Sequence, residues 1–170
     1  MAATPTRHHM LTVYLNDHLA GAEAGTRRAR RFADASSAAR SDPEERRLLR
    51  QLAADIACDL ASLRRVMREL GVPERRPYAW LGRIGELAGL LKPNGALLRR
   101  SPLTDLVELE ALRLGVLGKR QLWAVLAERF GGDSRVDRAR LDELADRADR
   151  QARLLEELRL RAAGVLTDRP

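Results

Sequence analysis

Aromatic residues are scarce in this chain: two Trp, two Tyr and two Phe in 170 residues. With few β-branched runs beside them, a sheet protein is excluded as the main architecture. The single cysteine, Cys58, excludes an intramolecular disulfide and suits a reducing compartment. No apolar run approaches the roughly 20 residues needed to span a bilayer, and the opening MAATPTRHHM has no apolar core of a signal peptide. A cytoplasmic protein with no membrane partner is the resulting expectation. Lysine is almost missing: Lys92 and Lys119 alone stand among 31 basic residues, against 24 acidic ones and a net charge of +7. So lopsided an arginine usage reads as GC-rich codon composition rather than selection for phosphate binding. Histidines number three, His8, His9 and His18. No nucleophile–base pair, Gly-rich phosphate loop, CxxC or metal-ligand spacing is present, so no enzymatic activity and no cofactor are expected.

What is present is helical periodicity in a length suited to one domain. The centre of the pattern is Ser101 to Phe130, which is apolar on two faces. One face carries Leu103, Leu106, Val107, Leu114, Leu117, Ala124 and Val125, and the other Leu109, Leu112, Val116, Trp123 and Ala127. A helix of this kind must be covered on both sides. Before it, Leu11, Leu15, His18, Ala22, Gly25, Ala29 and Phe32 recur at three and four in a first helix over about 10–39, behind a frayed lead-in of residues 1–9. A second helix, 43–70, starts with Ser41 or Asp42 as cap, Pro43 in its first turn and Glu44 and Glu45 behind. It presents Leu48, Leu52, Ile56, Asp59, Leu63, Val66 and Leu70, and stops at Gly71 and Pro73. The third helix spans 102–130. The fourth, about 136–166, turns Leu141, Leu144, Ala148, Gln151, Leu155, Leu158, Ala162 and Val165 inward, with a tail at 167–170. Between the second and third helices lies a long connection with a shorter amphipathic helix at 77–91, carrying Trp80, Leu81, Ile84, Leu87, Ala88 and Leu91. It is long enough to travel the bundle and pack over the second apolar face of the third helix. Two antiparallel helical hairpins joined by one long crossover make an all-α, ferritin-like four-helix bundle in a single domain, 10–166.

The segments YLNDHLAGAEAG in the first helix and LVELEALRLGVLGK in the third resemble a group of bacterial ferritin-like bundle proteins, over about Leu11 to Arg161. Metal-binding members of that superfamily use a Glu on each of two helices and Glu-x-x-His on the other two. Here the residues three before His8, His9 and His18 are Pro5, Thr6 and Leu15, and the later helices have no histidine. The di-iron chemistry of the superfamily therefore does not carry over.

Each long helix places one polar residue on its apolar stripe: His18, Asp59, Glu110 and Gln151. A buried charge needs a partner. The plainer expectation is a His18–Asp59 hydrogen bond that fixes register, with Glu110 paired to an arginine. The alternative is a diverged oxidoreductase holding iron, manganese or zinc at His18, Asp59 and Glu110. A pocket for a small organic ligand is a third reading. The basic stretch Arg27, Arg28, Arg30, Arg31, Arg46, Arg47 and Arg50 suggests a surface for nucleic acid or acidic partners. Arginines at a helix C-terminus also complement its dipole, and no aromatics interleave for base stacking, so a solvated end is favoured over a nucleic-acid interface. Positions such as Val13, Ala20 and Ala24 on the outside of the first helix fit a homodimer or protein-partner seam and an ordinary surface equally well, so the oligomeric state stays open.

Overall fold

The computed structural model describes residues 6–39, 42–75 and 102–167. They form an all-helical bundle: α1 (Arg7–Ala39), α2 (Pro43–Glu69), α3 (Pro102–Phe130) and α4 (Arg138–Ala162), with a closing 3-10 turn (Ala163–Leu166). Among the described residues no helix is long and apolar enough to cross a membrane.

Helix ends follow local chemistry. α1 begins earlier than its apolar pattern, because Thr6 caps it: its hydroxyl accepts from the His9 amide at 3.3 Å. The expected lead-in is thus helical from Arg7. Asp42 caps α2, accepting from the Glu44 amide at 2.9 Å, with Pro43 where a missing amide costs nothing. At the other end Gly71 takes φ +69. The Val72 amide donates to Met67 O at 2.8 Å and the Gly71 amide to Arg68 O at 3.0 Å. That is a Schellman stop, sealed by burial of Val72 and Met67. Asp137 caps α4, which is shorter at both ends than the apolar pattern suggests, because its last turn tightens into the 3-10 segment.

Side-chain pairs give the helix directions. Along α1, Asn16 meets Pro73 and Glu23 meets Arg64, so α1 and α2 are antiparallel. Arg113–Glu156 and Arg120–Asp149 set α3 antiparallel to α4. Between the hairpins, Glu69 approaches Arg140 at 3.9 Å while Asp59 meets Arg147. α2 and α4 are therefore antiparallel, and the end of α2 and the start of α3 lie at opposite ends of the bundle. Arg28–Glu108, at 2.6 Å, ties α1 to α3. The connection expected to run between α2 and α3, with its helix at 77–91, lies outside the described residues.

The core is aliphatic, built on Leu15, Leu63, Met67, Leu109, Leu126, Leu141 and Leu155 around the fully buried Trp123. Three details depart from the sequence reading. The buried face of α1 keeps Leu15, Ala29 and Phe32 of the expected stripe and takes in Thr12, Asn16, Leu19, Thr26 and Ala33 beside them, while His18 is half-buried. Ala20, expected outside, is buried, and Leu49 rather than Leu48 enters the core. Buried threonines are tolerated because Thr12 and Thr26 donate to the carbonyls four residues back, those of His8 and Ala22. The two faces of α3 also differ. Leu109, Leu112, Val116, Trp123 and Ala127 are buried, whereas Leu103, Leu114 and Val125 are 50%, 65% and 42% exposed.

A buried carboxylate between two cations

Asp59 sits mid-way along α2 on the face that meets the second hairpin, and is 1% exposed. A carboxylate this deep needs partners on the spot. Two cations and one amide supply them. Lys119 from α3 brings its Nζ to 2.5 Å from Oδ2. Gln151 from α4 donates through Nε2 to the same oxygen at 3.0 Å. Arg147, one turn before Gln151, faces Oδ1 as an ion pair, although that oxygen accepts no hydrogen bond of regular geometry. The cluster closes on itself, because Lys119 also donates to Gln151 Oε1 at 2.5 Å. One amide thus bridges an anion and a cation, giving its donor to Asp59 and its acceptor to Lys119.

Burial holds the Lys119 ammonium below the ordinary lysine range, and the nearby Arg147 charge pushes the same way. The Asp59 carboxylate, and more distantly Asp55, oppose that shift. The Lys119 side chain is 13% exposed and that of Arg147 32%. The site therefore grades from a sealed carboxylate to a guanidinium at the rim.

The other expected site residues lie elsewhere. The pairs Glu23–Arg64 and Asn16–Pro73 put His18 level with the last turn of α2, about ten residues from Asp59, or roughly 15 Å at 1.5 Å per residue. The expected His18–Asp59 bond does not form. His18 instead packs edge-on against Tyr14, ring centroids 4.7 Å apart. Burial lowers its pKa, against a smaller opposing pull from Asp17. Glu110 is not a buried polar group: its side chain is 48% exposed, 3.7 Å from Arg159. His18, Asp59 and Glu110 are thus not brought together. Among the described residues, no group of three or more His, Cys, Asp or Glu side chains could hold a metal ion. Cys58, beside Asp59 in sequence, points out to solvent.

Of the basic residues read from the sequence, Arg28 and Arg47 are held in ion pairs, Arg28 with Glu108 across the hairpins and Arg47 with Glu44 within α2. Arg27, Arg30, Arg31 and Arg50 are exposed.

Asn16 forms a second buried polar contact that the sequence reading passed over. Its Nδ2 donates to Thr12 O at 2.8 Å and Pro73 O at 3.1 Å, and its Oδ1 accepts from the Arg75 amide at 2.6 Å. It fastens the chain leaving α2 to α1. Lys119 and Arg147 were passed over too. Lys119 carried a usable signal, as one of two lysines in an arginine-rich chain, set within the most apolar helix. Arg147 carried none, since it falls in the alternating acid–arginine pattern of a solvent-facing helix surface.

Comparison with protein-family models, with curated proteins and with solved structures gives no match to this chain.

Proposed function

We propose that this chain is a non-enzymatic bundle of the ferritin-like kind, from a bacterial branch without the Glu-x-x-His motifs, and that it works by association. The observation that carries this reading is the state of Asp59. In the middle of the helix faces, where a metal-dependent relative would place several carboxylates and histidines, the described residues bury one carboxylate. That carboxylate is already matched by Lys119, Arg147 and Gln151. The Lys119 ammonium between Asp59 Oδ2 and Gln151 Oε1, with Arg147 facing Oδ1, puts positive charge where an outside cation would have to sit, and the set lacks the imidazoles that iron or zinc sites use. The helix directions support the ferritin-like comparison, since α2 and α3 run the same way and only a long crossover can join them. Association is supported by Leu114 and Val125, exposed apolar side chains three helical turns apart on one face of α3.

Two experiments test this reading. Aerobic incubation with ferrous iron, followed by desalting and elemental analysis, is expected to leave far less than one iron per chain. Stoichiometric iron together with oxygen consumption would overturn the non-enzymatic assignment. Analytical ultracentrifugation should show a species larger than the monomer that Leu114→Glu reduces. A monomer at tens of micromolar, unchanged by Leu114→Glu, would contradict self-association through this face.

A further inference from the structure

Lys119 runs against the composition of the chain. Of 31 basic residues only Lys92 and Lys119 are lysines. An arginine is the better partner for a buried carboxylate, because its forked donors match both oxygens and its charge is permanent. A lysine differs in that its ammonium can lose a proton and become a nucleophile. The site tolerates that loss. Two cations face one buried carboxylate, so Asp59 keeps Arg147 as counter-ion when Lys119 is neutral. Burial and the Arg147 charge both favour the neutral amine, against the pull of Asp59 and Asp55.

An electrophile stands beside that amine. Nζ lies 2.5 Å from Gln151 Oε1 and 2.5 Å from Asp59 Oδ2, and the same Oδ2 lies 3.0 Å from Gln151 Nε2. Amine, carboxamide and carboxylate thus close a ring in which one carboxylate oxygen reaches both nitrogens. Arg113–Glu156 and Arg120–Asp149 set the register of α3 against α4, and at that register Lys119 falls level with Gln151. Held at contact, the two groups meet without a bimolecular encounter. Gln151 is 4% exposed, which keeps water from competing for its carbonyl carbon.

We propose that Lys119 and Gln151 join in an intramolecular amide bond, formed slowly by the folded chain with Asp59 as proton carrier. The Lys119 amine attacks Gln151 Cδ and the Nζ–Cδ bond forms. Asp59 Oδ2 takes a proton from Nζ and passes it to Nε2. The Cδ–Nε2 bond then breaks, and the nitrogen leaves as ammonia. No further reactant is needed, and no atom is oxidised or reduced. The ion pair described above is the state before reaction, and the product staples α3 to α4. The proposal does not rest on the association reading, so either can fail alone.

The test is intact mass spectrometry of the full chain, kept folded near neutral pH for days, followed by tryptic mapping. The expected result is a growing species lighter by one ammonia, at a rate independent of protein concentration. Mapping should find a branched peptide joining Lys119 to Gln151. Lys119→Met and Asp59→Asn should keep the full mass, with circular dichroism to check that both are folded. A wild-type chain that keeps its full mass would overturn the proposal whatever the variants do. So would ammonia lost from an asparagine, with Lys119 and Gln151 recovered in separate peptides. A folded Asp59→Asn chain that cross-links as fast as the wild type would overturn the role of Asp59.

Discussion

Two charged clusters touch α2, and their components are nearly the same. Asp59 has Lys119 and Arg147; Glu23 has Arg64, with Arg27 and Arg30 nearby. They differ in depth. Asp59 is sealed between the hairpins, so its charge must be met within reach, by Lys119 and by Arg147 at the rim, and the cluster ties the two hairpins together. The α1–α2 groove is open to water: Arg64 is shared there between Glu23 and Glu74, and Arg27 and Arg30 stand exposed to solvent. Burial, not the number of arginines, decides which cluster is structural.

The contrast can be broken from the deep side first. Asp59→Ala should leave Lys119 and Arg147 facing an empty position. The expected loss is about 3–5 kcal/mol, the usual cost of removing one partner of a buried pair, read from the midpoint of urea unfolding. A loss below about 1 kcal/mol would place Asp59 among surface pairs.

The pH dependence sharpens the same point. Burial places the folded-state pKa of Lys119 below the ordinary lysine value of 10.5. Between the two values the unfolded chain binds more protons, so the Lys119 contribution makes stability rise with pH across that window. Below the folded pKa the cost of burying the ammonium is constant, and above 10.5 the slope ends. Urea midpoints measured up to about pH 10.5 should show this rising component in the wild type and lose it in Lys119→Met. Identical slopes in both proteins would contradict the burial of the ammonium.

Asn16 lies between the two extremes: neutral, buried and fully bonded. Asn16→Ala strands the Arg75 amide and the Pro73 carbonyl, and should cost about 1–3 kcal/mol. Limited proteolysis should report earlier cleavage after α2. At the open end of the comparison, Arg27→Gln should change stability by less than about 0.5 kcal/mol, measured by the same urea titration. A larger loss would mean that the groove arginines hold the fold.

Much of the fold was legible in the sequence, and the reason is local. Caps, glycine stops and three–four periodicity are written within a few residues, so Asp42, Pro43, Gly71 and the span Pro102–Phe130 were readable directly. The inward positions of Asp59 and Gln151 were legible for the same reason. The partners of Asp59 were not. Register between helices depends on how two surfaces interdigitate, which stripe positions alone do not give: His18 and Asp59 are each on their helix's stripe as read from sequence, yet lie about 15 Å apart along the axis. Glu110 fell on an apolar stripe by periodicity, yet α3 has two such stripes and Glu110 belongs to the open one. Long side chains added a further difficulty: Lys119 and Arg147 reach Asp59 from the flanks of their helices, which a stripe drawn through Cα positions does not capture.

The most direct test of the central claim is a double-mutant cycle on Asp59 and Lys119, using Asp59→Ala, Lys119→Ala and the double variant in urea unfolding. If the chain's own ammonium balances the buried carboxylate, the double variant should lose far less than the sum of the singles, with a coupling of about 1–3 kcal/mol. Additive losses, with no coupling, would contradict the account and mean that something other than Lys119 holds the Asp59 charge.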